Sequence, residues 1–189
     1  RIAIFASGNG SNAEEIIKHF DTVDNKKVSL VLSNKKDAYV LERADKFGIP
    51  TVVFNKSELL EGQVLNTLQR NNIDFIVLAG FMMLVPQNLV EAYSNRILNI
   101  HPALLPKYRG KGMYGDHVHE AVKNNSETET GITIHVVNEH YDEGQIVFQE
   151  KCRLSSGDTV QDIAKKVHAL EHANYPVVIN KFIDEQLEG

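Results

Sequence analysis

The sequence predicts an α/β fold: a mainly parallel mixed sheet with helices on both faces, then a C-terminal β-hairpin and a long helix. Three observations predict it. Short apolar runs alternate with helix-period segments through the first half. After His101 the alternation stops, and two β-rich runs flank a polar turn. The chain then closes on an extended helical pattern.

Taken in order, Ile2–Ala6 is an apolar run cut off by Ser7-Gly8-Asn9-Gly10, hence a strand. Ser11–Phe20 puts Ala13, Ile16, Ile17 and Phe20 on one face, the 3.6-residue period of a helix. Val28–Leu32 is the next strand, and Ala38–Phe47 the next helix, stopped by Gly48-Ile49-Pro50. Thr51–Phe54 reads as a short strand and Leu59–Arg70 as one helix. Phe75–Leu78 is a strongly apolar strand, Gln87–Tyr93 a short helix after Pro86, and Arg96–Ile100 a strand. Such βα alternation buries both faces of a parallel sheet, in a Rossmann-like arrangement. Pro102 to Gly115 is a proline- and glycine-containing loop, and Asp116–Lys123 a helix. Gly131–Val137 and Gln145–Leu154 form the hairpin. Val160 to Phe182 is the long helix, expected to be interrupted at Pro176. No repeat or linker divides the chain, so one domain is expected over residues 1–189.

Of the 189 residues, 42% are apolar and 24% charged, ordinary proportions for a globular chain. No apolar run approaches the roughly 18 residues of a membrane span. The apolar start at Arg1–Ala6 gives way too early for a secretory leader. A net charge of −5 argues against general attraction to nucleic acid, so an anionic substrate needs a local device. Cys152 is the single cysteine, which excludes an intramolecular disulfide and a thiolate metal cluster and suits a cytoplasmic location. It reads as a packing residue in a strand.

Three groups of residues carry possible chemistry. Ser7-Gly8-Asn9-Gly10-Ser11-Asn12 joins the first strand to the first helix, where backbone amides approach anionic oxygens closely. Gly8, Gly10 and Ala13 match the dinucleotide pattern G-x-G-x-x-A, but Ser33-Asn34-Lys35-Lys36 stands where a ribose-binding acid is expected. The lysines keep an NADP site open, and a tight turn capped by Ser11 is the plain alternative. A phosphomonoester site accounts best for Ser11 and Asn12.

Asn99-Ile100-His101-Pro102 ends the fifth strand. Alternation sends Asn99 and His101 out of one face, and Pro102 favours extended backbone at His101. An amide donor beside an imidazole at the carboxyl edge of a parallel sheet can stabilise and then protonate an oxyanion. The third group is Asp142, in the turn Asn138 to Gly144. It is either a solvated turn carboxylate or a partner that folds over His101 and favours the imidazolium. His117-x-His119 lacks further ligands at metal-binding spacing, so no metal is expected. No G-x-S-x-G elbow supports a serine nucleophile.

Together these stretches resemble the folate-dependent glycinamide ribonucleotide formyltransferases of purine biosynthesis. The resemblance also rests on Val77-Leu78-Ala79-Gly80-Phe81-Met82, on Leu98 to Pro106, on Tyr141-Asp142-Glu143-Gly144 and on Glu171-His172-Ala173-x-Tyr175-Pro176. It spans nearly the whole chain, and the Gly-Asn-Gly-Ser-Asn loop marks this branch among folate formyl enzymes. The resemblance implies two small-molecule substrates, glycinamide ribonucleotide and 10-formyltetrahydrofolate. It implies that Gly10, Ser11 and Asn12 hold the nucleotide phosphate, and that His168, Ala169, Leu170 and Glu171 contact the same substrate. Met82, Met83, Leu84 and Val85 are implied to line the pterin pocket with Asn99, Asn138, Glu139, His140, Tyr141 and Asp142. Lys56 is the nearest match to a folate-contacting basic residue. Asn99, His101 and Asp142 are implied as the catalytic trio: Asn99 stabilising the oxyanion, His101 acting as general acid and Asp142 supporting its protonated form. The Leu105–Pro106 bond is expected to be cis on the same ground.

The chain departs from many relatives after Pro106. It reads Tyr108-Arg109-Gly110-Lys111-Gly112-Met113-Tyr114-Gly115 in place of Tyr-Pro-Gly, so His117 and His119 receive no implied role. A formyl-folate hydrolase would carry a further N-terminal domain, and a methionyl-tRNA formyltransferase a basic C-terminal one. A non-enzymatic NADP-binding module would not need the trio to converge.

Overall fold

The computed structural model describes residues 1–188. Its seven-stranded sheet runs β3 (Thr51–Val53), β2 (Val28–Ser33), β1 (Ile2–Phe5), β4 (Phe75–Leu78), β5 (Ile97–His101), β6 (Glu129–Val136), β7 (Ile146–Arg153). The first five strands pair in parallel; β6 is antiparallel to β5, and β7 to β6. The mainly parallel sheet with a terminal hairpin is therefore as expected.

Strand alternation sorts the core into two layers. Ile2 and Ile4 of β1 point to one face, against α1 (Ser11–Phe20), α2 (Tyr39–Lys46), α6 (Asp116–Asn124) and α7 (Val160–Glu188). Ala3 and Phe5 point to the other, against α3 (Lys56–Leu60), α4 (Gln63–Arg70) and α5 (Gln87–Ala92). Burying both faces of a strand requires near-continuous apolar sequence, which is why these strands are legible as runs.

Two helical expectations are corrected. The single helix over Leu59–Arg70 is two helices, because Gly62 takes a left-handed φ of 89° and turns the chain between them. Asn55 starts the first with a capping box to Glu58, a signal upstream of the apolar periodicity. Conversely, α7 runs unbroken through Pro176. The proline deprives the His172 carbonyl of its helical donor. Yet Val167, Tyr175, Ile179, Phe182 and Ile183 are buried against the sheet, and packing outweighs local propensity.

Tyr175 ties α7 to the sheet below the carboxyl edge. It is fully buried, and its hydroxyl lies 2.8 Å from the Leu78 carbonyl and 3.2 Å from that of Leu98. Burial raises its pKa well above the ordinary phenol value, so it remains a donor. Tyr175→Phe should strand these buried carbonyls at a cost of about 1–3 kcal/mol. A lowered urea midpoint at unchanged slope would show it; an unchanged midpoint would contradict it.

Candidate active site

The strand order reverses between β1 and β4, and clefts of open α/β sheets form at that point, beyond the carboxyl ends. A cleft of about 870 Å³ opens there, lined by the 8–12 loop, residues 78–85, the end of β5, the 110–115 loop, the 137–142 turn and α7. A smaller cleft of about 530 Å³ lies at the amino edge of β1 and β2 and holds none of the motif residues.

At one end of the cleft the 8–12 loop is held from several sides. Gly10 caps α1 with φ 76°, making no side-chain cap, and its carbonyl accepts from the Glu14 amide at 2.9 Å. Ser11 is thus the first helical residue rather than the cap, which removes the plain-turn reading of its hydroxyl. Its Oγ lies 3.2 Å from His172 Nε2. The Val40 amide donates to the Gly8 carbonyl, and Arg43 donates to both the carbonyl and the side-chain oxygen of Asn9. The Ser7 hydroxyl is bound to Asn34 at 2.6 Å and receives the Met82 amide at 3.0 Å. Asn34 therefore fastens the loop, and neither Lys35 nor Lys36 lines the cleft, so the structure gives the NADP reading no support.

Asn12 Nδ2 donates to Glu171 Oε2 at 2.9 Å. Burial pushes the Glu171 carboxyl up, with the Asn12 bond and His168 opposing. His168, Glu171 and His172 share a helical face toward the cleft. Ala169 and Leu170 do not line it: helical periodicity exposes Ala169 and packs Leu170 against the core.

At the other end, β5 presents Asn99 and His101 on one face, and the 138–142 turn folds back over them. Asp142 Oδ2 lies 3.6 Å from His101 Nδ1, and Oδ1 lies 3.5 Å from Asn99 Nδ2. The carboxylate also accepts from the Gly110 amide at 3.3 Å. His101 Nε2 lies 2.7 Å from the Tyr108 carbonyl, which can only accept, so this nitrogen carries a proton and Nδ1 is left facing Asp142. Tyr108 and Asp142 both adopt left-handed backbone, with φ 56° and 54°.

Asp142 acts on His101 in the expected direction, but burial opposes it and prevails. Burial lowers the His101 pKa; the Asp142 charge and the Tyr108 bond push upward, but the net direction is down. Asp142 is also opposed by burial, yet its contacts with His135, His101 and Gly110 prevail and hold it below the usual carboxylate range.

His135 was not anticipated. The β5–β6 register sets it opposite Asn99, and its Nε2 lies 3.1 Å from Asn99 Nδ2 and 3.5 Å from Asp142 Oδ1. The signal was present: Thr133 and His135 alternate with Ile132 and Ile134 in one strand. Thr133 bonds the Leu105 amide and the Ala103 carbonyl, and Gln149 bonds Thr133 and the Leu105 carbonyl. These contacts hold the turn in which Leu105–Pro106 is cis, as expected.

Of the expected pterin-pocket residues, Met82, Met83, Leu84 and Val85 all line the cleft, as do Asn138, His140 and Tyr141. Glu139 does not, and is exposed beside His140. Lys56 opens α3 on an exposed surface outside the cleft lining.

The formyl transferase family model matches residues 1–179. The chain belongs to the formyl transferase family. It is 40% identical to the chloroplastic phosphoribosylglycinamide formyltransferase of Arabidopsis thaliana, over 100% of this chain and 67% of that protein. It is 38% identical to the Escherichia coli phosphoribosylglycinamide formyltransferase, over 99% of this chain and 89% of that one. The crystal structure of phosphoribosylglycinamide formyltransferase from Bacillus halodurans superposes with a TM-score of 0.88 at 38% identity, covering 97% of this chain and 95% of that one. This formyltransferase thus shares its family's mixed sheet, with the cleft at its carboxyl edge.

Proposed function

We propose that this formyltransferase moves the formyl group of 10-formyltetrahydrofolate to the amino group of glycinamide ribonucleotide, a step of purine biosynthesis. The carrying observation is that one cleft joins a glycine-rich anion loop to the Asn99–His101–Asp142 group. The names of its relatives point to the same substrate. The cleft volume lies within the roughly 300–1,000 Å³ common for small-molecule sites.

The amine of the ribonucleotide attacks the formyl carbon, and the carbonyl oxygen becomes an oxyanion. Asn99 has two amide protons; one is bonded to His135, and the other makes only the long 3.5 Å contact with Asp142. That second proton is free to turn to the oxyanion. His101 is fixed through Nε2, so Nδ1 is its working atom. Burial disfavours the imidazolium. Developing negative charge beside Nδ1 offsets that burial, so the proton is held most firmly as the tetrahedral adduct forms. Asp142 adds to the same field. Nδ1 takes up the proton that the attacking amine sheds and passes it to the folate nitrogen. The bond from that nitrogen to the formyl carbon then breaks, and the oxyanion collapses to the product formamide. No covalent enzyme intermediate is required. At the far end, the amides of Gly10 to Asn12 receive the phosphate, with Glu171 beside the glycinamide portion.

Incubating the protein with 10-formyltetrahydrofolate should release tetrahydrofolate only when glycinamide ribonucleotide is present. Release without the amine would indicate a hydrolase, and none in either case would sink the proposal. Ser11→Asp places a carboxylate at the phosphate and should raise the KM for the ribonucleotide far more than that for the folate. Equal rises would count against the placement.

A further inference from the structure

The cleft proposed to take a phosphate dianion is poor in permanent positive charge. Among the described residues lining it, Lys111 is the one lysine and no arginine occurs, against six histidines. Three of these stand in a row beside the anion loop. His172 stacks on His168 with ring centroids 6.4 Å apart, and His168 meets His119 edge-on at 6.3 Å. His172 Nε2 lies 3.2 Å from Ser11 Oγ, at the start of α1.

We propose that this cleft takes up its positive charge together with its ligand: binding of a phosphomonoester dianion at the 10–12 loop draws a proton from solvent onto the His168–His172 pair. This rests on the phosphate placement of the preceding section.

The geometry gives the reason. Without ligand, the Ser11 hydroxyl can donate to a neutral His172 Nε2. Once that hydroxyl turns to a phosphate oxygen, Nε2 faces only an acceptor, and a proton on it completes the chain His172–Ser11–phosphate. The surrounding groups otherwise oppose protonation. Burial lowers the His172 pKa, and His168, Arg43 of α2 and Lys18 of α1 lower it further, with Glu15 alone pulling upward. His119 of α6 is held to about 4 by burial and by His168 against Asp116, so it stays neutral and acts as the back wall. Glu171, buried beside the pair, has its own carboxyl pushed up by burial and is a weak counter-charge. A dianion placed between Ser11 and the pair reverses this balance.

The test uses ribose 5-phosphate, which has no amine to titrate. Near pH 7.5, above its second pKa of about 6, it is already dianionic and neither gains nor loses a proton. Calorimetric titrations in buffers of different ionisation heat should give heats that rise with that heat, at a slope showing net proton uptake. His172→Gln and His168→Gln keep hydrogen-bonding capacity but cannot titrate, and at least one should remove most of the uptake. Affinity of the unmodified protein should also weaken as pH rises, by up to about tenfold per unit for one linked proton. Identical heats in all buffers, or uptake unchanged in both variants, would overturn the inference and leave the phosphate placement standing. No binding of either ribose 5-phosphate or glycinamide ribonucleotide would overturn the placement itself, and this inference with it.

Discussion

Asp142→Asn is expected to lower kcat by roughly 10²–10⁴-fold, the range spanned by general acid–base contributions, while affinity for the ribonucleotide stays nearly unchanged. The substitution keeps the shape of the side chain and removes the charge 3.6 Å from His101 Nδ1. The sign of the accompanying change in His101 follows from the opposing forces. Burial already holds its pKa below the ordinary value, and the Asp142 charge is the first of the effects resisting that. Without it the imidazole titration, followed by NMR, should move to still lower pH. His101→Asn should be comparably damaging, and the double variant little worse than either single one, because members of one relay are strongly non-additive. An unmoved titration, or losses that multiply, would make Asp142 an ordinary turn residue. The subsite proposed for the ribonucleotide lies on α1 and α7, away from the turn, so a large change in its affinity would also count against this division of labour.

The strands were legible because each of β1, β2 and β4 is apolar on both faces, and such runs leave little ambiguity. Asn99 and His101 were legible for a related reason: polar residues at alternate positions of an apolar strand end must face something other than the core. The same argument applied to Thr133 and His135 would have found the third member of the imidazole–amide group. It was missed because the β5–β6 register that brings His135 opposite Asn99 is a long-range pairing. The break at Gly62 was hidden inside an apolar period that continues across it in a different frame. Pro176 misled in the opposite direction, since the burial that carries α7 past it is tertiary.

The direction of the His101 shift is the clearest case of what pattern cannot supply. A carboxylate within a few ångströms was expected to favour the imidazolium. Asp142 does push that way, but at 3% exposure the loss of water outweighs the neighbouring charge. Burial depends on how Tyr108, Gly110 and the 138–142 turn close over the ring, and no local spacing encodes that.

The two glycines of the anion loop should respond oppositely to the same change. An alanine Cβ at Gly8 would meet nothing within 4 Å, and Gly8 is not in the left-handed region, so Gly8→Ala should leave stability and KM close to those of the unmodified protein. At Gly10 the backbone is left-handed, with φ 76°, which alone costs an ordinary residue about 1–2 kcal/mol. A Cβ there would also stand 2.5 Å from Val40 Cβ and 2.8 Å from Val40 Cα, so the obstacle includes backbone at the start of α2. Trimming Val40 to alanine therefore cannot make room. Relief requires the loop and α2 to separate, which strains the Val40-to-Gly8 bond and swings the amides of Gly10 to Asn12 off their positions. Misplacing a binding group by an ångström can cost about 10²-fold, so Gly10→Ala is expected to raise the ribonucleotide KM by that order and to lower the melting temperature. The KM for the folate substrate, which the 82–85 segment and the 138–142 turn are proposed to receive, should change much less. A Gly10→Ala protein with normal ribonucleotide KM would show that these amides do not hold the phosphate.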